Sequence, residues 1–227
     1  LPAQDPVINN VASGVVFTSY RTGQGAYLNF ASAFNLSEGV RRVEFQSQDN
    51  TGNVELLKSA TVFVDATSPV SALAIANPKY DPGSGQPVFV AAATLLTLNA
   101  QDPLVQEVAS GVRQISLRRG TDAFAPYVAS FALPLPDGLR TVDFFATDNV
   151  DNTETTRSAT LALDNTAPIT SLAVLGGRQF AGPNAASFYA SSDTRFGLSA
   201  ADPVTGGVAS GLALTQYQDN DGAFQVF

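Results

Sequence analysis

One four-residue phrase, Val-Ala-Ser-Gly, occurs three times in this chain, each time six residues after the start of an Asp-Pro pair. The three pairs begin at Asp5, Asp102 and Asp202, so the copies lie 97 and 100 residues apart. A period near 100 residues matches one β-sandwich domain and is too long for a helical repeat unit. The sequence therefore predicts a tandem array of similar domains.

The similarity extends through most of each copy. Residues 38–41 (Glu-Gly-Val-Arg) align with residues 137–140, and residues 65–69 (Asp-Ala-Thr-Ser-Pro) align with residues 164–168, both at an offset of 99. The offset is still 97 at the Val-Ala-Ser-Gly phrase. Two additional residues are therefore expected in the second copy between Gly111 and Gly138, in the connection around Pro134 and Pro136.

Alternating apolar and polar residues predict β-strands in every copy, and no useful window has the 3.6-residue period of a helix. The apolar stretch at residues 88–98 is too short to span a bilayer and predicts a buried strand. The expected core residues are Phe45, Val62 and Val64 in the first copy and Leu98, Val142, Phe144, Leu161 and Leu163 in the second. The predicted fold class is all-β, with antiparallel β-sandwich domains in tandem.

Proline-containing segments at residues 65–69 and 164–168 predict the domain junctions, since proline ends strand pairing and stiffens a connection. These junctions give part of a domain at 1–66, a complete domain at 67–166 and part of a third at 167–227. Two interpretations follow. The chain is a window of a longer repetitive protein, or separate chains join head to tail by strand addition. Under the second interpretation one segment would be supplied twice at each joint, because residues 5–30 and 202–227 are copies of each other.

The composition argues against several functions. The net charge is −8, with two lysines, so binding to a nucleic-acid phosphate backbone is not expected. Cysteine and histidine are absent, which removes thiolate nucleophiles and the commonest general base. The serines of the repeated phrase, Ser13, Ser110 and Ser210, thus lack a histidine base. We expect a protein that is not an enzyme, binds no nucleic acid and has no membrane span.

Recurring acidic residues suggest a calcium site as an alternative to ordinary turn chemistry. Carboxylates, amides and backbone carbonyls can supply the six to eight oxygen ligands that Ca²⁺ requires, but Asp and Asn also suit tight turns. Asp102, Asp148 and Asn152 are expected to converge at one end of the second domain, with Asp164 joining from the junction. The complete candidate set is Asp5, Asp49, Asn53, Asp65, Asp102, Asp148, Asn152 and Asp164.

Several motifs together resemble the bacterial Ig-like repeats of the OmpL-type β-domain family. The first copy has Phe-Asn-Leu-Ser-Glu-Gly at 34–39 and Ser-Gln-Asp-Asn-Thr-Gly-Asn-Val-Glu at 47–55, and the third has Tyr217 with Asp221-Gly-Ala-Phe. The second copy departs from the pattern at Asp151, where glycine is expected. The resemblance implies tandem Ig-like domains, joined by short proline-containing linkers, in a surface-exposed or secreted protein.

The expected function is a non-enzymatic structural repeat in an extracellular or cell-surface stalk, fibre or adhesin backbone. Its partners would be neighbouring copies of the protein or continuing repeats of the same chain, because open sheet edges favour association. The alternatives are an adhesion module that binds a glycan or protein, and an accessory domain of a large secreted hydrolase. Aromatic residues such as Tyr20, Tyr27 and Phe30 would form the binding strip of a glycan module.

Overall fold

The computed structural model describes residues 3–184 and 187–227, and over these ranges the chain is all-β. Among the described residues no helix has the length and hydropathy needed to cross a bilayer. Sheets within each copy are mainly antiparallel, as the alternation of apolar residues predicts. The strands are described below copy by copy.

The first copy forms one four-stranded antiparallel sheet in the order β2-β1-β3-β4. Its central strand β3 begins at Gly39, whose φ of +111° favours a residue without a side chain. The strands are β1 (Val15–Thr22), β2 (Leu28–Asn29), β3 (Gly39–Asp49) and β4 (Lys58–Val64).

The second copy contains a six-stranded sheet in the order β10-β9-β11-β12-β7-β6 and a separate pair, β5-β8. Within the larger sheet β12 and β7 run parallel, with Leu161 opposite Val88 and Leu163 opposite Val90. The strands are β5 (Val70–Ile75), β6 (Lys79–Tyr80), β7 (Val88–Val90), β8 (Leu96–Gln101), β9 (Val112–Arg119), β10 (Ala125–Pro126), β11 (Gly138–Asp148) and β12 (Arg157–Leu163).

The third copy contains three two-stranded pairs: β13-β16, β14-β15 and β17-β18. Its strands are β13 (Ile169–Leu175), β14 (Gln179–Ala181), β15 (Phe188–Ala190), β16 (Arg195–Ala201), β17 (Gln216–Tyr217) and β18 (Gln225–Val226). The repeat is thus visible strand by strand. Strands β1 and β2 recur as β9 and β10 after 97 residues, β3 and β4 recur as β11 and β12 after 99, and β7 recurs as β15 after 100.

The described strand bounds locate the two-residue insertion of the second copy. Strand β10 still lies 97 residues after β2, whereas β11 lies 99 residues after β3. The additional residues therefore fall between Pro126 and Gly138. This interval lies within the predicted one, from Gly111 to Gly138, and it contains the connection around Pro134 and Pro136.

The chain divides into two compact units, and each contains one boundary between sequence repeats. The first unit comprises Leu1–Ala72, Asn99–Ser116 and Phe145–Thr156, which includes the boundary between the first and second copies. The second comprises Leu73–Leu98, Leu117–Phe144 and Arg157–Phe227, which includes the boundary between the second and third copies. The domains expected at 1–66, 67–166 and 167–227 remain a prediction.

Buried apolar residues of the second unit lie on β8 and on strands of the six-stranded sheet. All five core residues predicted for the second copy are buried there, as are Val90, Leu96 and Leu133. Burying each large aliphatic side chain contributes about 1.5–3 kcal/mol. The packing is β-sandwich-like. The core comprises Val90, Leu96, Leu98, Leu133, Val142, Phe144, Leu161 and Leu163.

Two sequence predictions about apolar residues are wrong. In the first copy Val62 is exposed, and Phe45 and Val64 are only half-buried, because among residues 3–184 and 187–227 no counterpart of β5-β8 covers their sheet. The stretch at residues 88–98 is not one strand. It divides into β7 and β8 at a turn in which Thr94 N–H donates to the Ala91 carbonyl at 3.0 Å.

A candidate site at the repeat boundaries

The first boundary is built around Asp65, which directly follows β4. One carboxylate oxygen, Oδ2, accepts the backbone N–H of Ser110 at 2.7 Å, and the other accepts the N–H of Thr67 at 3.1 Å. The Asp65 main-chain carbonyl also accepts the side-chain amide of Asn152 at 3.1 Å. A single aspartate at the end of the first copy therefore binds two loops of the second.

The second boundary repeats this arrangement around Asp164, which directly follows β12. Its Oδ2 accepts the backbone N–H of Ser210 at 2.7 Å, and Oδ1 accepts the N–H of Thr166 at 3.2 Å. Because the same two bonds form at both boundaries, the contact is a property of the repeated sequence.

Both boundaries also have a loop packed against the glycine that begins a long strand. At the first boundary a Cβ on Gly39 would lie 2.8 Å from the Gln106 side chain. At the second, a Cβ on Gly138 would lie 3.2 Å from the carbonyl oxygen of Gly206, the residue 100 positions after Gln106. Glycine at the start of β3 and β11 thus permits close approach of the following copy.

The repeated Val-Ala-Ser-Gly phrase forms the loop that the boundary aspartate binds. In the second copy Asp102 accepts the N–H of Gly111 at 2.7 Å, and Asn149 donates its side-chain amide to the Ser110 carbonyl at 2.7 Å. The first copy has the same bonds, from Gly14 to Asp5 at 2.8 Å and from Asn50 to Ser13 at 2.7 Å. The phrase therefore holds a backbone N–H in position for the preceding copy.

In two copies of this loop the serine hydroxyl also donates a hydrogen bond within the loop. The Ser13 hydroxyl donates to Asp5 at 3.2 Å, and the Ser210 hydroxyl donates to Asp202 at 3.4 Å. Gly211 N–H binds the same Asp202 oxygen at 2.6 Å. These contacts give the serines a role in loop structure.

The Asp-x-x-x-Asn segments form tight turns in which the aspartate accepts several donors. Asp148 is fully buried, and it accepts the N–H of Val150 at 2.9 Å, the N–H of Asn152 at 2.8 Å and the Asn152 side-chain amide at 2.7 Å. Asp151 occupies the left-handed region, with φ +73°, where the first copy has Gly52. Aspartate tolerates this conformation better than most residues do, which explains the departure from glycine.

The corresponding turn in the first copy lowers the pKa of its aspartate. The side-chain amide of Asn53 is the largest contribution, and the N–H of Asn53 together with the hydroxyl and N–H of Thr51 adds to it. Burial opposes this effect, and the net result is a pKa of about 2 for Asp49. The ionised carboxylate is therefore a structural acceptor in the folded chain.

Three carboxylates converge at the first boundary. Ligand oxygens of Asp65, Asp102 and Asp148 lie within 4.8 Å of one another. Asp102 and Asp148 come together as predicted, and Asn152 binds Asp148 directly. The junction residue was predicted wrongly, because the aspartate beside them is Asp65, whereas Asp164 binds Ser210 in the third copy. Asp5, Asp49 and Asn53 belong to the corresponding loop and turn of the first copy.

Hydrogen-bond donors of the protein partly offset the negative charge of this cluster. Burial raises the pKa of Asp65, but the hydrogen bonds from Ser110 and Thr67 lower it more, so the net pKa is below its ordinary value. Within the described residues the Asp102 Oδ1 atom is buried without a hydrogen-bond partner. The oxygens are a chemically suitable set for Ca²⁺, and calcium binding stays a prediction.

A second recurring feature lies on the two long central strands. Glu44 on β3 binds Arg21 at 2.6 Å, and the Arg21 guanidinium lies 4.7 Å from the ring centroid of Tyr27. The second copy repeats the ion pair between Asp143 and Arg118 at 2.7 Å. Arg21 lowers the pKa of Glu44 despite partial burial. Since Tyr27 covers an arginine, this part of the expected aromatic strip has a structural role.

The sequence analysis did not predict that the boundary aspartates bind Ser110 and Ser210. A nearly constant spacing in the sequence could have indicated these contacts, since Asp65 precedes Ser110 by 45 residues and Asp164 precedes Ser210 by 46. The fold and the boundary contacts together define a β-sandwich-like repeat chain. The sequence matches no protein-family model and no curated protein.

Proposed function

We propose that this chain is a non-enzymatic structural repeat of an extracellular or cell-surface protein, as part of a stalk, fibre or adhesin backbone. The observation that carries the proposal is the repeated boundary contact, Asp65 to Ser110 and Asp164 to Ser210, at 2.7 Å in both cases. A contact that recurs at each boundary restrains successive repeats in the same way. Such restraint is what a linear array requires if its length is to increase with repeat number.

Three further properties support this role. The chain is acidic, with a net charge of −8, which favours solubility in a repetitive protein. It contains no cysteine, so its folding does not depend on disulfides. Its motifs resemble the OmpL-type Ig-like repeats of surface and secreted bacterial proteins. Tandem Ig-like domains with proline-containing linkers are part of the proposal.

Small-angle scattering of the wild-type chain and of the double variant Asp65→Ala/Asp164→Ala tests the proposal. We expect a narrow distribution of interatomic distances for the wild type and a broader one for the variant, because the variant lacks both boundary bonds. Circular dichroism would establish that the variant retains its strands. Equal breadth in the two proteins would contradict the proposal.

An adhesion module for a glycan or a protein is the second candidate, and exposed aromatic residues in the first copy favour it. Phe30 is half exposed, and its ring lies edge-on to Tyr20 at a centroid distance of 6.2 Å. Saturable binding on a glycan panel, lost in Phe30→Ala, would favour this candidate over a passive spacer. The third alternative, an accessory domain of a secreted hydrolase, predicts a catalytic domain in the same full-length protein.

A further inference from the structure

The second and third copies each contain a two-residue hairpin turn that lies against the copy before it. The turn closes residues 105–108 in the second copy and residues 205–208 in the third, through paired backbone hydrogen bonds of between 2.9 and 3.1 Å. Its two central residues are Gln106-Glu107 in the second copy and Gly206-Gly207 in the third. The same turn therefore carries side chains at the first boundary and none at the second.

Both central positions of the turn have left-handed backbone conformations in both copies. The φ angle is +46° at Gln106 and +66° at Glu107, and it is +60° at Gly206 and +80° at Gly207. Glycine adopts this conformation readily, whereas glutamine and glutamate disfavour it. Turn chemistry alone thus favours glycine at both positions. A glutamine at the first position calls for a contact outside the turn.

Gln106 makes such a contact with the preceding copy. Its side-chain oxygen accepts a hydrogen bond from the Arg41 guanidinium at 3.2 Å, and a Cβ on Gly39 would lie 3.1 Å from the Gln106 Cβ. The same guanidinium donates to the backbone carbonyls of Ser37, at 2.9 Å, and Glu38. Arg41 therefore binds the segment that precedes β3 and the turn of the following copy together.

The second boundary has no room for a side chain at the equivalent position. A Cβ on Gly206 would lie 2.1 Å from the carbonyl oxygen of Asp137. Arg140, the counterpart of Arg41, donates to the Pro136 carbonyl, and its Nε atom has no hydrogen-bond partner among the described residues. The main chains of the two copies meet directly here, whereas at the first boundary a glutamine side chain contacts the preceding copy.

We propose that the first residue of this turn, Gln106 or Gly206, determines which repeat can precede it in the array. Glutamine fits a preceding copy whose arginine donates to the turn. Only glycine fits a preceding copy whose main-chain carbonyl approaches the turn. The inference rests on the proposed structural function and deepens it, because it names the residue that selects the neighbouring repeat and thereby fixes the order of repeats.

Exchanging turn residues at the second boundary of the full chain tests the proposal. Gly206→Gln places a side chain against the Asp137 carbonyl, and Gly207→Glu is the matched control, since it also has a positive φ but no atom within 4 Å of such a Cβ. The readout is hydrogen exchange at the Ser210 N–H, which donates to Asp164. We expect this exchange to be at least about tenfold faster in Gly206→Gln than in Gly207→Glu, because overpacking against the main chain opens the boundary.

A change in the preceding copy distinguishes selection from general crowding. Pro136→Ser/Asp137→Glu gives the second copy the two residues that precede the strand glycine in the first copy. Arg140 can then bind the carbonyl of residue 137, as its counterpart binds the equivalent carbonyl. Combined with Gly206→Gln, these substitutions should bring Ser210 exchange to within about threefold of the control, since the sites are coupled. An undiminished effect of Gly206→Gln would overturn the inference.

The first boundary provides the reciprocal measurement. Gln106→Gly and Glu107→Gly both relieve left-handed strain, but only Gln106→Gly removes the bond to Arg41. Hydrogen exchange at Ser110 should therefore be about threefold faster in Gln106→Gly than in Glu107→Gly. Equal exchange in the two variants would contradict selection by Gln106.

The wild-type chain separates a failure of this inference from a failure of the proposed function. Slow exchange at Ser110 and Ser210, with equal rates within each pair of variants, would overturn selection by the turn and leave the boundary restraint standing. Rapid exchange at both serines in the wild type would show that the boundary bonds do not form in solution, and it would overturn both.

Discussion

The carboxylate of Asp65 accepts the backbone N–H of Ser110 at 2.7 Å, which joins the end of one sequence repeat to a loop 45 residues further along the chain. Asp164 and Ser210 form the same bond at the same distance. In each case the aspartate follows the last strand of its copy, and the serine belongs to the repeated Val-Ala-Ser-Gly loop. This relationship is the structural unit from which an array can be built.

Replacing Asp65 with alanine should destabilise the first boundary. The substitution leaves the Ser110 N–H without its acceptor in a partly buried position, a loss of about 1–3 kcal/mol. Urea unfolding would measure the cost, and hydrogen exchange at Ser110 would locate it. The exposed Asp122 provides a control, since Asp122→Ala should change stability by less than about 0.5 kcal/mol. Equal effects of the two variants would contradict a special role for Asp65.

Glycine at position 206 is required by the second boundary. A Cβ on Gly206 would lie 2.1 Å from the carbonyl oxygen of Asp137, so Gly206→Ala should cost about 1–3 kcal/mol beyond its backbone strain. The adjacent Gly207 is a matched control, because it also has a positive φ but no atom within 4 Å of such a Cβ. Differential scanning calorimetry should give a lower Tm for Gly206→Ala than for Gly207→Ala. The reverse order would show that the contact is unimportant.

The Asp49 turn should make the first copy acid-sensitive. The pKa of Asp49 is about 2 in the folded chain and near 3.8 ordinarily, so protonation favours the unfolded state. Its contribution is complete above about pH 5 and is lost as the pH falls from about 4 towards 2. Urea unfolding at pH 6 and pH 3 should show this loss for the wild type and a smaller one for Asp49→Asn. An unchanged pH dependence in the variant would disprove the assignment.

Calcium binding at Asp65, Asp102 and Asp148 can be tested by thermal unfolding at low ionic strength. If the ion binds the folded chain, Ca²⁺ at 100 times its Kd should stabilise the fold by about 2.7 kcal/mol, and a chelator should reverse the gain. Asp102→Asn should abolish the response by removing one carboxylate. Mg²⁺ serves as a control, since it prefers a tighter octahedral site. A Tm that does not change with either Ca²⁺ or chelator would end the calcium hypothesis.

Much of the fold could be predicted from the sequence because the signals are local and repeated. The alternation around Val142 and Phe144 predicts a strand with one buried face, and both residues are buried in the core. The Asp-x-x-x-Asn segments predict tight turns, and Asp148 and Asn152 form one. In both cases neighbouring residues determine the local structure, a strand at Val142 and Phe144 and a tight turn at Asp148 and Asn152.

The wrong predictions concern features that depend on distant strands. Val62 has the pattern of a core residue, yet it is exposed because burial requires a second sheet that the pattern does not encode. The assignment of Asp164 to the Asp102 cluster failed because the sequence does not say which of two junctions lies at a given end of a sandwich.

The position of the boundary aspartates has a mechanical consequence. Asp65 immediately follows β4, whose pairing with β3 extends from Gly39–Val64 to Phe45–Lys58. In the proposed array, a pulling force would therefore pass from β4 through one side chain into the next repeat's loop before the proline-containing segment is stretched. The linker would be shielded from tension until the Asp65–Ser110 bond breaks, and each boundary would yield as a separate step under load.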